Sequence, residues 1–220
     1  MKARKHRKLR LSLERAGGLL RKEGVRSLWF RVLGATAYRR LLLLERPLQE
    51  PISDVMVRLP VEIGQLRTVE VAEHVRFRAE SGSSMTQSRL DAGQLCFVVR
   101  HQGAVVSSCW AATTRVWIDY LSRELRLGPE EVYSYDSFTE PALRGSNLEP
   151  ARLTEKLRYF RDAGYRRMVC AVSPENRASL RACAKVGYRP YGLIGYVKVG
   201  LWKWHFCRMS HAAMAWPHRG

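Results

Sequence analysis

The feature that most constrains this chain is a change of hydrophobic period between Glu131 and Tyr188. Glu131 to Thr139 (E-V-Y-S-Y-D-S-F-T) is dense in aromatic and hydroxyl side chains, as a half-buried strand is. After Arg144-Gly145 the period becomes helical, with Leu148, Leu153, Leu157 and Phe160 on one side up to a stop at Gly164. Arg167 to Val172 then reads as a short buried strand, and Pro174-Glu-Asn176 opens a second helix that ends at Gly187. Strand, loop, helix, strand, helix in that order demands a sheet with helices packed on it.

The flanking segments extend the same unit. Gln94 to Arg100 and Ala104 to Thr113 read as strands joined by His101-Gln-Gly103, a hairpin connection. Tyr191 to Val199 and Leu201 to Met209 read as a closing strand pair. Upstream, Asp54 to Val61 is expected as a strand, Ile63 to about Glu80 as helical and Thr86 to Ala92 as a short helix, while Arg115 to Gly128 fits either state. Pro47 and Pro51 mark a boundary, because proline interrupts both helix and ladder. The chain therefore divides into an extension over residues 1–50, a main domain over 51–210 and a tail over 211–220.

Charge separates the extension from the rest. The chain carries +18, and residues 1–46 hold fourteen Lys/Arg against three Glu, or +11, leaving +7 for the remainder. From Leu9 to Glu45, apolar residues recur every three or four positions among arginines, the pattern of amphipathic helices. Such helices either dock on the domain with their basic side solvated or lie in a membrane interface. A segment this basic suits an anionic partner, for which a membrane surface or an acidic carrier protein ranks ahead of nucleic acid. A homodimer is left open.

Five cysteines without a C-x-x-C pair, several of them in apolar runs, argue against a disulfide framework or zinc knuckle. His74, His101 and His205 lack metal-ligand spacing, so no metal is assigned. With no run long enough to cross a bilayer and no signal-like start, the expected location is the cytoplasm, with the inner face of the membrane as a peripheral site.

The loop entering the first helix offers free N–H groups and the positive end of a helix dipole, a setting suited to pyrophosphate. Neither G-x-G-x-x-G nor a P-loop is present. Thr139-Glu-Pro-Ala-Leu-Arg-Gly-Ser-Asn-Leu-Glu-Pro-Ala-Arg-Leu153 resembles the strand end, proline turn and R-G-x-G-x-[GA] loop of the GCN5-related N-acetyltransferases. Val172-Ser-Pro-Glu-Asn-Arg-Ala-Ser179, followed by Lys185-Val-Gly-Tyr188, resembles that family's second signature. The resemblance runs in detail from Val132 to Tyr188, and in element order from Val55 to Met209.

That resemblance implies an α/β fold of α+β type, a central mixed sheet splayed after Thr139 and Val172 and flanked by helices. It implies acetyl-CoA or another acyl-CoA as acyl donor and an amine as acceptor, joined by direct attack on the thioester. Backbone groups of Ser137, Phe138 and Thr139 would pair with pantetheine. The loop and helix start at Arg144, Gly145, Ser146, Asn147, Leu148, Pro150 and Ala151 would hold the pyrophosphate, and Asn176 and Ser179 would face the donor. Asn176 is equally a plain helix N-cap.

The chain also departs from the family's pattern. Asn147 stands for the second loop glycine and Glu149 for the third Gly or Ala, although Leu148-Glu-Pro150 resembles a bulky-residue-then-proline variant. A carboxylate at residue 149 opposes a pyrophosphate unless it points away. Cys183 stands where many members place a tyrosine acid, and Cys170 where ribosomal-protein acetyltransferases place a base glutamate. The remaining candidates for proton transfer are Tyr133, Tyr135 and Asp136, with Cys183 a candidate nucleophile. Strand parity puts Tyr133 and Tyr135 on one face and Asp136 on the other. For each tyrosine, sheet packing is the ordinary alternative.

Three functions fit these residues: an N-acyltransferase acting on a small molecule, sugar or lipid-linked precursor; a binding module on a degenerate acetyltransferase fold; and an aminoacyl transferase. Trp202-Lys-Trp204 reads as a stacking platform for bases or as a strand with one buried face.

Overall fold

The computed structural model describes residues 38–209 except 79, 200 and 201. The helices expected before residue 38 and the tail at 211–220 lie outside the described residues.

The chain's centre is an eight-stranded sheet in the order β10-β9-β1-β8-β7-β4-β3-β2. Its strands are β1 (Tyr38–Pro47), β2 (Glu62–Gln65), β3 (Leu95–His101), β4 (Ala104–Ala112), β7 (Glu131–Thr139), β8 (Arg167–Val172), β9 (Arg189–Val199) and β10 (Trp202–Met209). A separate hairpin, β5 (Arg115–Ile118) and β6 (Arg123–Arg126), accounts for the segment that sequence left unassigned. Every neighbouring pair in the large sheet is antiparallel except β7 and β8.

Helices cover both faces. α3 (Leu148–Asp162) and α4 (Arg177–Lys185) close one side over a core that includes Leu44, Phe97, Val132, Leu157, Phe160 and Met168. α1 (Val71–Phe77) and α2 (Ser83–Asp91) cover the other side around Val98, Val105 and Trp110. The β5–β6 hairpin continues that second layer over Leu43, Tyr133 and Val169. The β3–β4 hairpin turns at Gln102 and Gly103, both with positive φ, as its two-residue connection requires.

Two expectations are corrected here. Residues 41–45 are not helical: they are the middle of β1, which lies between β8 and β9 in the sheet. A run of four leucines has no period of its own, and β1 buries Leu41 and Leu43 on one face and Leu44 on the other. The sheet therefore begins before the Pro47–Pro51 stretch, which ends a strand and does not separate two units. Residues 54–61 also form no strand. Ile52, Val55, Val57 and Val61 pack half-buried against the core without a ladder partner, and the strand in this region is β2, which displaces the start of the expected helix.

Along β9, Gly195 lies where three strands approach closely. A Cβ there would come within 2.2 Å of the Arg39 carbonyl oxygen and 2.6 Å of the Phe206 ring. Gly195→Ala is expected to lower unfolding free energy by about 2 kcal/mol in urea denaturation. Gly64→Ala, whose new methyl would have no neighbour nearer than 3.8 Å, should leave stability unchanged or slightly raised.

Candidate functional site

β7 and β8 run parallel in register from Glu131 opposite Arg167 to Ser134 opposite Cys170, and their pairing stops there. β7 continues to Thr139 with only β4 beside it. The strands part into a cavity of about 510 Å³. Ser137, Phe138 and Thr139 form its β7 wall, Arg144, Gly145 and Asn147 its loop, Leu148, Glu149 and Pro150 the first turn of α3, and Asn176, Ser179, Arg181 and Lys185 its α4 wall. Two residues carried over by the resemblance lie off the cavity. Ser146 accepts the Arg58 N–H with its carbonyl, and Ala151 is buried in the helix.

The entry into α3 leaves its N-terminus open. Gly145 and Asn147 take φ of 90° and 63°, left-handed conformations that glycine adopts freely and asparagine more readily than most residues. Asn147 is the N-cap position, yet its side chain does not cap: its amide donates to the Met56 carbonyl at 2.9 Å and accepts from Lys185 Nζ at 2.8 Å. The first-turn N–H groups thus keep their capacity for an anion, and Pro150 sits where a missing N–H costs nothing. At α4 the reverse holds. Asn176 Oδ1 accepts from Ser179 N at 3.2 Å, so this residue is an N-cap, with its amide NH₂ free of any partner among the described residues.

Glu149 lies across the cleft mouth, where its Oε1 accepts from Ser137 Oγ at 3.0 Å. The carboxylate therefore does not point away from the cavity it lines.

Neither the three sequence candidates for proton transfer nor Cys183, the candidate nucleophile, lines the cavity. Tyr133 is buried and stacked on Tyr135, and burial pushes its hydroxyl far up. Burial likewise raises Tyr135, whose hydroxyl donates to Gln94 Oε1. Cys183 is buried beside Cys170, whose thiol is raised well above its ordinary value by the hydrogen bond with Cys183 and then by burial. Asp136 is engaged by Arg78 Nη2 at 2.7 Å and Arg89 Nη1 at 2.6 Å, from α1's end and α2.

The parity expectation fails at Asp136. That residue has φ of 49° at a register shift, where Trp110 opposes Tyr135 but Ser108 opposes Phe138. One extra residue in β7 makes a β-bulge. Asp136 consequently reaches the same side as Tyr135: Arg89, which binds its carboxylate, also lies 5.1 Å over the Tyr135 ring.

Sequence reasoning missed the most unusual side chains of the site. Arg152 and Lys156 are fully buried on α3, and among the described residues neither meets a carboxylate. Arg152 donates to Ser137 Oγ at 2.6 Å, to Ser107 Oγ and to the Phe138 carbonyl at 3.3 Å. Lys156 donates to Ser134 Oγ and to Cys109 Sγ at 2.9 Å. The available signal was spacing: Leu148, Arg152 and Lys156 fall at i, i+4 and i+8, one face of a helix. Arg181 and Lys185 were also missed, although with Ala178 and Ala182 they repeat at three and four.

Burial pushes the Cys109 thiol up, but the charges of Lys156 and Arg152 and hydrogen bonds with Lys156 and Ser134 outweigh it and hold the group below its ordinary 9.0. The hydrogen bonds that Lys156 makes to this thiol and to Ser134 meet the otherwise uncompensated buried charge, and deprotonation of the thiol would offset it further. His74, buried edge-on to Trp110 at 5.8 Å, is lowered by burial and then by Arg78, so its imidazole is neutral at neutral pH.

No protein-family model and no curated protein sequence matches this chain. Solved structures do. A GCN5-related N-acetyltransferase from Sphaerobacter thermophilus matches with a TM-score of 0.53 and 16% identity, over 76% of this chain and 54% of its own. The GCN5-related glucosamine N-acetyltransferase region of a fungal multi-domain β-N-acetylglucosaminidase matches at 0.52 and 17%, over 76% of this chain and 21% of its own. A GNAT-family acetyltransferase from Colwellia psychrerythraea matches at 0.50 and 14%, over 70% and 53%. This chain spans between a fifth and just over half of the length of those structures, and the likeness is one of fold.

The Cys109 shift fixes the sign of a pH effect. A group held below its ordinary value contributes stability that is present above that value and is lost as pH falls through the folded one. Unfolding free energy should therefore rise toward pH 9.0 in the wild type relative to Cys109→Ser, by at most about 1.4 kcal/mol per pH unit. Denaturant titrations of both proteins across this range measure the difference, and parallel curves would count against the thiolate.

Proposed function

We propose that this chain, which has the fold of the GCN5-related N-acetyltransferases, transfers an acetyl or longer acyl group from acyl-CoA to an amine of a small molecule, sugar or lipid-linked precursor. The observation that carries the reading is the parting of β7 and β8 in front of an uncapped α3 N-terminus.

The residues around the cavity fit the donor. Beyond Ser134, β7 has no strand on its β8 side, so that edge of Ser137 to Thr139 is open to the amides of a pantetheine arm, with the Phe138 carbonyl already accepting from Ser107 and Arg152 and the Thr139 carbonyl from Arg144. The open amides of α3, with Arg144 and Lys185 nearby, suit a pyrophosphate. Acyl-CoA bound there supplies a thioester carbonyl and a thiolate leaving group.

The chain's own contribution is orientation and charge. Holding amine and thioester together and directing backbone N–H groups at the carbonyl supply much of the acceleration available to acyl transfer. A positioned base adds only about 10²- to 10⁴-fold. Tyr133, Tyr135 and Asp136 are committed elsewhere, so the amine attacks in its neutral form, sheds a proton to solvent at the cleft mouth as the C–N bond forms and the C–S bond breaks, and the departing CoA thiolate takes a proton from solvent. Cytoplasmic acyl-CoA pools fit this chemistry.

The second reading, a binding module without turnover, is favoured by Glu149, whose carboxylate bridges to Ser137 where the donor would lie. Native mass spectrometry separates the two. A retained acyl-CoA, or a rise in melting temperature on adding CoA, supports the enzyme; no binding at millimolar CoA overturns it. Glu149→Gln removes a repulsive charge and should tighten CoA binding about tenfold by calorimetry. Gly145→Val, which forces a β-branched residue into a left-handed conformation, should weaken binding at least tenfold.

A further inference from the structure

Beyond acyl transfer, we propose that the outer corner of the sheet, formed by Val197, Val199, Trp202 and Trp204, seats this chain on an anionic lipid bilayer. Val199 pairs with Trp202 and Val197 with Trp204, so the four side chains form one block on a single face of β9 and β10. Their exposures are 36% for Val197, 59% for Val199, 72% for Trp202 and 57% for Trp204, so no described element covers them. Two largely exposed tryptophans backed by two valines are an apolar patch that a freely solvated protein gains nothing by presenting.

Position links the patch to the cleft. β9 runs in the same direction as β8, since both are antiparallel to β1. Val172, the last residue of β8, lies level with Leu42 and hence with Leu193. Val197 and Val199 are four and six residues further, roughly 13 to 20 Å beyond that level at about 3.3 Å per residue. The cavity opens at this same end, where α4 begins, and Arg40 Nη2 ties β1 to Glu175 Oε1 there at 2.8 Å. A bilayer touching the corner would meet the side of the molecule on which the cleft opens.

Charge selects the bilayer over a second copy of the chain. At +18, two copies repel one another, whereas an anionic surface attracts each. Residues 1–46 carry +11, and the chain enters the sheet at Tyr38, directly opposite Val197, so the basic run joins the fold at the apolar corner. Four side chains give weak insertion and a basic run gives weak attraction; together they supply the two signals that stable peripheral attachment takes. Tryptophan is the side chain best suited to the headgroup level. No described helix is long and apolar enough to cross a membrane, which is consistent with attachment at the surface.

The test uses the full chain with vesicles of phosphatidylcholine alone and of phosphatidylcholine containing phosphatidylglycerol. Co-sedimentation is expected only with phosphatidylglycerol and should weaken steeply with salt. Trp202→Ser/Trp204→Ser should weaken it about tenfold or more at unchanged melting temperature. Trp202→Phe/Trp204→Phe, which keeps the apolar surface, should bind within about threefold of wild type but lose the share of fluorescence quenching by brominated acyl chains that these two of the six tryptophans contribute. Binding of the serine variant equal to wild type overturns the proposal, as does an absence of vesicle binding. A dimer in light scattering that the serine substitutions dissolve would assign the corner to a second copy and also overturn it. None of these readouts depends on CoA, so the acyl-transfer reading stands or falls separately.

Discussion

The parallel contact between β7 and β8 governs this molecule by ending early. A strand that loses its neighbour in a protein interior leaves N–H and C=O groups that must find other partners. Here the hydroxyls of that strand are met from above by α3: Arg152 reaches Ser137 and the Phe138 carbonyl, and Lys156 reaches Ser134. The same helix presents its unsatisfied N-terminus to the gap that it props open. Separation of the strands, orientation of the helix and placement of its dipole are thus parts of one arrangement.

Its cost is the burial of two cations. An ammonium in an apolar interior is unfavourable by several kcal/mol unless another charge or several hydrogen bonds meet it. Ser107, Ser134 and Ser137 supply hydrogen bonds, and Cys109 supplies a group that can carry the opposite charge. A cysteine serves here where a carboxylate would be bulkier and more strongly hydrated. The result is a sheet whose hydroxyl and thiol side chains, unremarked in a strand-like sequence, are matched one by one to donors from a helix.

How much of this was legible depended on whether a residue's environment matches its type. The spans of β7 and β8 could be read because aromatic, hydroxyl and β-branched residues lie in strands for reasons local to the strand. β1 was not, because Leu41 to Leu44 suit a buried helix and a doubly buried strand equally, and only the sheet around them decides. Arg152 and Lys156 were marked only by sharing a helix face with Leu148, a signal outweighed by the rule that a cation in a helix ordinarily faces water. The bulge was invisible because an aspartate holds the left-handed conformation, kept there by Arg78 and Arg89 from distant segments. Residues carried over by resemblance surround the cleft apart from Ser146 and Ala151, while the side chains offered for proton transfer lie outside it.

The bulge at Asp136 has a consequence for the chemistry of the cleft wall. Upstream of it Ser134 faces α3; downstream, Ser137 and Thr139 face the same way, an odd number of residues later. With uninterrupted alternation, the phenyl ring of Phe138 would point toward α3 instead, and it would lose Phe77 and Arg78, its neighbours on the opposite side. Were the strand to slide by one residue and close the bulge with Asp136 still in the ladder, a greasy lining would replace the hydrophilic one and turn the opening into core. The binding space is, in that sense, a single-residue insertion that the surrounding arginines have kept from healing.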